Sequence, residues 1–361
     1  MEEKKVIIAS GGTGGHINPA VAVAKYLNKK NYKVLVVGND KIEKYLKDGK
    51  IEYKIIESGS SLTRPKSVLN ILKGIFQSLK IVFDFKPSVV IGFGSYATLP
   101  VLIVCKLKRV PILLHEGNSF IGRINKLFLG GARYLFTSFQ EIYGMNIKYS
   151  NKIHFTGIPM RSEVKELYDN IYTYPKEGEK LTILITGGSG GASFFSNRFL
   201  DTFQYIDEKI RKTMRIFHQV KEKDEVEKVK LFYDKLNIES DVRTFFDDLP
   251  GKILESHLVI CRSGAGTISE ISVVGRPVIF FPSPNVVNNH QMYNAKFFER
   301  NGAGIILEEA LFVPIDFART LVSIIDNKTK LIQMAEKVKS MANLDAEKEI
   351  EKIVAGLCEE V

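Results

Sequence analysis

The chain has 361 residues, 45% of them hydrophobic, so it can bury two cores of the common size of roughly 150 residues. A formal charge of +10 favours anionic partners such as nucleotides, lipid diphosphates, nucleic acid or an acidic membrane face. Its three distant cysteines support neither a disulfide framework nor a zinc site, and no run of about 20 apolar residues predicts a membrane-spanning helix. The run Val6–Ala9 is too short for a signal-peptide core, so a cytoplasmic protein is expected.

The two halves of the chain open with the same pattern. Lys5–Ser10 is followed by the first glycine turn, Gly11–Gly15, and Leu181–Thr186 is followed by a similar turn, Gly187–Gly191. Each aliphatic run is typical of a buried parallel strand, and the amphipathic stretch after each turn predicts a helix.

Further strands alternate with helical patterns along both halves. They are predicted in the first half at Lys33–Val37, Ile51–Glu57, Ser88–Gly92, Pro111–His115, Tyr134–Ser138 and Lys152–Gly157, and in the second at Arg215–Val220, Asp241–Phe245, Leu258–Cys261, Pro277–Phe281 and Gly304–Leu307. This alternation predicts an α/β protein with two Rossmann-like, doubly wound parallel-sheet domains facing a cleft.

The domain boundary is predicted just after a glycine and a proline, in the segment Gly157–Arg161. The first domain is then residues 1–160 and the second residues 161–342. The helical, charge-rich end from Asn327 to Val361 is expected to cap the second domain, with a last helix at about 343–361 that can pack back on the first.

Glycine turns between a strand and a helix bring backbone N–H groups close to a ligand, at the positive end of the helix, which suits phosphate. Dinucleotide binding is the competing interpretation, but Ile17 and Ser193 occupy the position of the third glycine in the two partial matches. Asp40 could still bind a ribose, so a nicotinamide-dependent enzyme remains an alternative.

Two polar groups follow strands of the first half. His16 lies in the first turn of the helix after the first glycine turn, where an imidazole can accept a proton from a sugar hydroxyl. His115–Asn118 follows a strand at the edge where open α/β sheets bind ligands. The alternatives are a structural histidine and a solvated turn that caps a helix.

The second half carries two further candidate motifs. Cys261–Glu270 repeats the pattern of strand, turn and helix, with hydroxyls that can donate to phosphate, a cation at Arg262 and a carboxylate at Glu270 that can accept ribose hydroxyls. A capping box is the alternative interpretation. Asn288–Asn294 opens a helix with amides and an imidazole that suit a polyhydroxylated ligand.

The stretch Ser67–Phe85 has apolar residues at helical spacing and four flanking lysines. It predicts a basic amphipathic helix, which could pack on the sheet, lie on an anionic bilayer, or do both. The candidate membrane-facing residues are Leu72, Lys73, Ile75, Phe76, Leu79, Lys80 and Phe83.

This set of motifs resembles the GT-B glycosyltransferases, and within them the N-acetylglucosaminyltransferases of peptidoglycan lipid intermediates, along essentially the whole chain. The resemblance rests on Gly11–His16, Gly92–Pro100, His115–Asn118, Gly157–Arg161, Gly187–Gly191, Arg262–Ala265 with Glu270, and His290–Gln291. The sequence departs from the family pattern at Gly117, Ile158, Gly190 and His290.

The resemblance implies a site for UDP-N-acetylglucosamine in the second half and for the lipid acceptor in the first, with His16 as the candidate base. Donor-binding residues are then Thr13, Gly14, Gly15, Asn118, Arg161, Ser189, Gly190, Phe246 in the Phe245–Phe246 turn, Arg262, Ala265, Thr267, Glu270, His290 and Gln291. Acceptor-binding residues are Gly12, Thr13, Gly14, Gly94, Ser95, Tyr96 and Glu116.

The implied reaction is an inverting transfer of N-acetylglucosamine to the C4 hydroxyl of the muramyl sugar on undecaprenyl diphosphate, during peptidoglycan synthesis. No cofactor, metal site or nucleic acid partner is expected, and the protein would lie on the cytoplasmic face of the cell membrane without spanning it. Alternatives are a UDP-N-acetylglucosamine 2-epimerase-like enzyme, which needs no lipid acceptor, and a nonenzymatic nucleotide-sugar-binding partner at the membrane.

Overall fold

The aliphatic runs of the sequence form the strands of two separate parallel sheets in the computed structural model, which describes residues 4–47, 49–188 and 193–359. The chain divides into two compact domains. The N-terminal domain extends to Ser162 and includes the segment from Asn343 onward, and the C-terminal domain is Glu163–Ala342. Every strand predicted from the sequence is present, with small differences at its ends.

The N-terminal domain has a seven-stranded sheet in the order β3-β2-β1-β4-β5-β6-β7, and every pair is parallel. Its strands are β1 (Lys5–Ser10), β2 (Lys33–Gly38), β3 (Glu52–Ile55), β4 (Val89–Gly92), β5 (Ile112–Glu116), β6 (Tyr134–Thr137) and β7 (Ile153–Phe155). Its helices are α1 (Gly14–Lys29), α2 (Glu43–Leu46), α3 (Pro65–Phe85), α4 (Leu99–Leu107) and α5 (Arg123–Phe128). The short helix α6 (Ser162–Lys165) crosses the boundary into the C-terminal domain.

The C-terminal domain has a six-stranded parallel sheet in the order β10-β9-β8-β11-β12-β13. Its strands are β8 (Leu181–Thr186), β9 (Met214–Gln219), β10 (Glu239–Arg243), β11 (Leu258–Cys261), β12 (Val278–Phe280) and β13 (Ile305–Ile306). Its helices are α7 (Ser193–Ser196), α8 (Glu208–Lys212), α9 (Lys223–Lys235), α10 (Leu249–Glu255), α11 (Ala265–Val274), α12 (His290–Arg300), α13 (Pro314–Ile325) and α14 (Lys328–Ser340).

Both faces of the N-terminal sheet are covered, which explains why its strands are hydrophobic without alternation. Val6 and Ile8 of β1 belong to one buried cluster, and Ile7 and Ala9 belong to the cluster on the opposite face. The last helix, α15 (Ala346–Glu359), packs against α1 and adds side chains at helical spacing to the first cluster.

The second domain differs from the prediction directly after its glycine turn. Where a helix was expected, the described residues form the four-residue helix α7 and then a 3-10 helix, Leu200–Tyr205. Phe195, Phe199 and Phe203 from this segment are fully buried in the core of the domain. Because an aromatic cluster holds this segment against the sheet, it does not need the regular amphipathic helix that the sequence pattern suggested.

Candidate active site

The first glycine turn links β1 to α1, and its geometry suits an anion. Thr13 is the extended N-cap residue, and no acidic residue lies in the first turn of α1. The first N–H groups of a helix have no partner within the helix, and the helix dipole makes this end positive. The Ser10 hydroxyl donates to the carbonyl of His16 at 3.0 Å, which fixes the start of the helix on the end of the strand.

A second glycine turn, Gly92–Tyr96, packs directly into the first. A Cβ atom placed on Gly12 would lie 2.6 Å from the Ser95 hydroxyl oxygen, so the Ser95 side chain occupies the space that a side chain at Gly12 would need. Ser95 has φ 69° and ψ 153°, a costly conformation for a residue with a side chain. Since backbone strain of this kind clusters at ligand sites, this pair of turns is the centre of the candidate site in the N-terminal domain.

His16 is half-buried beside this pair of turns. A Cβ atom on Gly94 would lie 3.5 Å from the His16 ring, so the imidazole lies against the backbone of the second glycine turn. The structure therefore brings together the predicted base and both glycine turns predicted to hold the acceptor, Gly12–Gly15 and Gly94–Tyr96.

His115 is buried at the end of β5 and cannot readily carry a proton. Burial lowers its pKa to about 3. The nearby His16 also lowers this pKa, whereas the hydrogen bond to the Gly157 backbone raises it. Its ring lies 4.9 Å from the ring of Phe93, and its Nε2 atom is 3.4 Å from the Ser138 hydroxyl. We conclude that His115 packs neutral beneath the site and joins neighbouring strand ends.

Glu116, predicted to bind the acceptor, uses its carboxylate inside the protein. One oxygen accepts hydrogen bonds from the Gly122 N–H at 2.7 Å and the Asn125 amide at 2.9 Å, and the other accepts from the Asn118 N–H at 3.1 Å. Burial raises the pKa of Glu116, although these donors oppose that shift. Glu116 thus shapes the loop that carries the half-buried Asn118.

Arg161 is exposed at the end of a segment that is tightly held in the N-terminal domain. Gly157 has φ 77°, and a Cβ atom on it would lie 2.6 Å from the Asn343 side chain. The Met160 N–H donates to the buried Glu347 carboxylate at 2.7 Å. The segment before α15 and the first turn of that helix therefore fix the backbone that presents Arg161.

In the C-terminal domain the predicted donor residues also follow the carboxyl ends of strands. Ser189 and Gly190 lie outside the described residues. Gly188 has φ 70°, and a Cβ atom on it would lie 3.3 Å from the Thr267 hydroxyl. The start of α11, which carries Ala265, Thr267 and the half-buried Glu270, therefore lies against the third glycine turn, of which the structure describes Gly187–Gly188.

The Phe245–Phe246 turn, predicted to bind the donor, carries one exposed and one buried phenylalanine. Phe245 is 56% exposed, whereas Phe246 is 3% exposed and its ring packs against Phe217 with the Arg243 guanidinium over it. The Phe246 ring is thus part of the core, and only its backbone is placed to meet a base.

The Arg262 guanidinium, predicted to offer charge to the donor, is occupied within the protein. It forms a partly buried ion pair with Glu309, donates to the Phe281 carbonyl at 2.8 Å, and lies over the rings of Phe194 and Phe195. Arg262 therefore ties its own turn to the ends of β12 and β13 and to α7, instead of pointing a free charge at a ligand.

His290 and Gln291 begin α12, after two residues with positive φ, Asn288 and Asn289. The Gln291 side-chain carbonyl accepts from the Ser283 N–H at 2.8 Å, and in the described part of the chain its NH₂ group has no hydrogen bond. An amide held by one end presents the other end to a ligand in a fixed orientation.

Several residues that organise these turns were not predicted. Asn39, at the end of β2, accepts a hydrogen bond from the Gly12 N–H at 3.4 Å. Asn125 orients Glu116, and Gln219 connects two turns of the C-terminal domain. A polar residue directly after or at the end of a buried strand is the one sequence signal shared by Asn39 and Gln219. In the described ranges, no group of three or more His, Cys, Asp or Glu side chains could hold a metal ion.

Two family models match this chain. The glycosyltransferase family 28 N-terminal domain matches residues 6–136, and the glycosyltransferase family 28 C-terminal domain matches residues 182–350. Both matched ranges contain the glycine turns described above.

Curated relatives match over nearly the full length. A protein of Rickettsia canadensis (strain McKiel) is 35% identical over 99% of this chain and 99% of its own length, and one of Bradyrhizobium sp. (strain ORS 278) is 30% identical over 97% of each. Both are named UDP-N-acetylglucosamine–N-acetylmuramyl-(pentapeptide) pyrophosphoryl-undecaprenol N-acetylglucosamine transferase.

Solved structures agree with these relatives. The crystal structure of Acinetobacter baumannii MurG is 27% identical and superposes with a TM-score of 0.79, covering 98% of this chain and 99% of that chain. The glycotransferase of kitacinnamycin superposes with a TM-score of 0.68 at 12% identity, covering 98% of this chain and 99% of that one, which shows a shared fold only.

Proposed function

This chain belongs to glycosyltransferase family 28, among the N-acetylglucosamine transferases of peptidoglycan lipid intermediates, and on that premise we propose that it moves N-acetylglucosamine from UDP to the C4 hydroxyl of N-acetylmuramyl-pentapeptide on undecaprenyl diphosphate. The observation that carries the proposal is the full-length identity of 35% to a relative with this name. Family membership also removes the nicotinamide-dependent alternative.

We assign the donor to the C-terminal domain. The third glycine turn and the first turn of α11 supply backbone N–H groups for the diphosphate, and the Glu270 carboxylate accepts ribose hydroxyls. The backbone beside Phe246 and the exposed Phe245 ring would meet the uracil, and the Gln291 NH₂ group, with His290 beside it, would meet the sugar. Arg262 supports this site from below through its ion pair with Glu309.

We assign the acceptor diphosphate to the two glycine turns of the N-terminal domain, where the start of α1 favours negative charge. In the transfer step, the acceptor oxygen forms a bond to the anomeric carbon while the bond from that carbon to the UDP oxygen breaks. His16 takes the hydroxyl proton, and the electron pair leaves with UDP. Arg161 and the turn N–H groups would stabilise the charge that develops on the leaving diphosphate.

The assay that tests this function supplies the purified protein with UDP-N-acetylglucosamine, with and without a muramyl-diphosphate-lipid analogue. We expect UDP release only when the acceptor is present. Release without the acceptor would point to the epimerase-like alternative or to hydrolysis, and no turnover by correctly folded protein would favour the nonenzymatic alternative. Release that requires another sugar nucleotide would contradict the donor assignment.

We further propose that α3 attaches the protein to the membrane surface. Its exposed face carries an apolar stripe that includes Leu72, Phe76 and Phe83, of which Phe76 is 72% and Phe83 68% exposed, whereas Ile75 and Leu79 are half-buried against the core. Lys73 and Lys80 flank the stripe, and an exposed lysine contributes about 1 kcal/mol near an anionic bilayer. None of the described helices combines the length and apolarity needed to cross a membrane.

Vesicle sedimentation tests this attachment. The double variant Phe76→Asp/Phe83→Asp should lose binding to vesicles that contain anionic lipid. Leu311→Asp is the matched control, because Leu311 is 78% exposed in the C-terminal domain. If the two variants bind the vesicles equally well, α3 is not the membrane-facing element.

A further inference from the structure

A chain of hydrogen bonds runs beneath the candidate donor site, from the third glycine turn to the turn that carries Phe245. The Gly188 N–H donates to the Thr186 hydroxyl at 3.0 Å, and that hydroxyl donates to the side-chain carbonyl of Gln219. The Gln219 NH₂ group then donates to the Thr244 carbonyl at 3.2 Å. We call these four groups the Gln219 relay.

Every link of the relay has a single consistent direction. The Gly188 N–H can only donate and the Thr244 carbonyl can only accept, so the hydroxyl and the amide between them each have one orientation that satisfies both neighbours. Thr186 is fully buried and Gln219 is 5% exposed, so water does not readily replace a lost partner. A buried donor or acceptor left without a partner costs more than the bond itself contributes.

The relay spans three neighbouring strand ends of the second sheet. Thr186 ends β8 and Gln219 ends β9, while Thr244 directly follows β10. Backbone bonds join β9 to β10 as far as the Val220 N–H, which donates to the Arg243 carbonyl at 2.9 Å. The side chains of Thr186 and Gln219 therefore extend the link between strands into the turns.

We propose that Gln219 is a positioning residue that fixes the base turn, Thr244–Phe246, relative to the diphosphate turn at Gly187–Gly188. The inference rests on the proposed function, in which these turns hold the two ends of the same nucleotide. Because the nucleotide must meet both turns at once, the relay sets the spacing at which the donor is recognised. Gln219 itself need not touch the donor.

The kinetic consequence is confined to donor binding. The base turn meets the uracil and not the bond that breaks, so loosening it weakens ground state and transition state alike, which raises KM and leaves kcat nearly unchanged. Gln219→Leu should raise the KM for UDP-N-acetylglucosamine about tenfold, equivalent to about 1.4 kcal/mol, and change kcat less than about twofold. Discrimination against a thymidine diphosphate donor should fall in parallel, because the base turn is no longer held in register.

Thr186→Val should reproduce this behaviour, because it keeps the shape of the side chain and removes the hydroxyl that links Gly188 to Gln219. Thr186→Ser keeps the hydroxyl and should restore a KM close to that of the original protein. Thr202→Val is the matched control: Thr202 is fully buried in the same domain, and its hydroxyl has no hydrogen-bond partner in the described residues. The control should leave KM and base selectivity unchanged.

Gln219→Glu adds a readout that a purely structural role would not move. A buried carboxyl group favours its neutral form, which can donate to the Thr244 carbonyl as the amide does, whereas the ionised form cannot. Measured relative to the original protein at each pH, the KM of this variant should approach the original value as the pH falls. Gln219→Leu should show no such recovery.

The inference is overturned if Gln219→Leu and Thr186→Val keep the original KM and base selectivity, or if they lower only thermal stability while the folded enzyme binds the donor normally. If Gln219→Leu does not fold, Thr186→Val decides in the same way. Titration of the original protein with UDP distinguishes a failure of the proposed function from a failure of the Gln219 relay. No UDP binding there contradicts the proposed function, whereas normal binding that the variants do not alter contradicts only the relay.

Discussion

The two domains open with the same succession of strand and glycine turn, but they hold that turn in place by different means. In the N-terminal domain a second glycine turn packs against the first, and a Cβ atom on Gly12 would lie 2.6 Å from the Ser95 hydroxyl. In the C-terminal domain, polar side chains hold the turns in place, through the Gln219 relay and the ion pair of Arg262 with Glu309.

This difference indicates that the same sequence motif can support two functions, proton transfer in one domain and nucleotide recognition in the other. Direct packing of one glycine turn on the other leaves short turns with a histidine beside them, as suits the site of a proton transfer. Polar side chains beneath a turn set distances between turns, as suits recognition of a long nucleotide. The four predictions below test whether the two modes of support divide chemistry from donor binding in this way.

The largest expected effect separates chemistry from binding. His16→Ala should lower kcat by about 10²- to 10⁴-fold, the usual contribution of a positioned general base, with little change in the KM for the donor. His154→Ala is the control, because His154 lies on β7 of the same domain and packs edge-on against Tyr134. Steady-state kinetics with both substrates measures the effect, and an unchanged kcat would show that His16 is not the base.

The Arg262 ion pair tests the polar support of the C-terminal domain. Glu309→Gln leaves the buried Arg262 charge without its partner, which costs up to about 3–5 kcal/mol, so it should destabilise this domain and raise the donor KM. Arg262→Lys should act in the same direction, because it loses the contacts of the guanidinium group. Lysine cannot replace the planar guanidinium, which also bonds Phe281 and stacks on two rings. Chemical denaturation and donor kinetics measure these effects.

The same two variants show whether Arg262 contacts the donor diphosphate directly or acts only through its ion pair with Glu309. If Arg262 touched the donor diphosphate, Arg262→Lys would raise the donor KM and Glu309→Gln would leave it nearly unchanged. If Arg262 acts through its ion pair, Glu309→Gln should also raise the donor KM, and the double variant should be little worse than Arg262→Lys alone, because that substitution already disrupts the pair.

The strands could be predicted because parallel strands buried on both faces are continuous aliphatic runs, and each of these runs ends at a turn that the sequence marks with glycine or a polar residue. The glycine turns, His16 and the start of α11 follow from the same reasoning, since a strand, a turn and a helix lie close together in sequence. The coarse position of most candidate residues, at the carboxyl ends of strands, was therefore accessible from the sequence.

The directions of side chains were not accessible in the same way. Arg262 looked like a free cation beside a phosphate turn, but its partner Glu309 follows β13, two strands away in the sheet. Positions 245 and 246 are both phenylalanine, and only the packing of Phe246 on Phe217 decides which of the two rings is buried. Interactions between distant segments determine both outcomes, and no local pattern encodes them.

Acid should expose a smaller difference between the domains. Burial lowers the pKa of His115 in the N-terminal domain and of His218 in the C-terminal domain to about 3, whereas an unfolded histidine titrates near 6.5. Between these values the unfolded chain binds more protons, so stability is lost as the pH falls below about 6.5. Lowering the pH to about 5 should cost about 2 kcal/mol per histidine.

In the N-terminal domain, Glu116 opposes the loss of stability that the buried histidine causes in acid. Its folded pKa is raised by burial, so the folded state binds more protons than the unfolded state at pH values above about 4.5, and its contribution to stability grows as the pH falls. We therefore expect the C-terminal domain to open first in acid, as measured by amide hydrogen exchange. His218→Gln should flatten the dependence on pH there, and equal loss of protection in both domains would contradict the difference.

The smallest expected effect compares the two turns directly. Gly12 and Gly188 both have positive φ, 86° and 70°, so alanine at either position costs about 1–2 kcal/mol in backbone strain. At Gly12 the new methyl group would also meet the Ser95 hydroxyl at 2.6 Å, whereas at Gly188 the nearest atom among the described residues, the Thr267 hydroxyl, is 3.3 Å away. Gly12→Ala should therefore lower the melting temperature more than Gly188→Ala. If the two variants melt together, the first turn can move away from the second, and the packing of turn on turn is not what holds it.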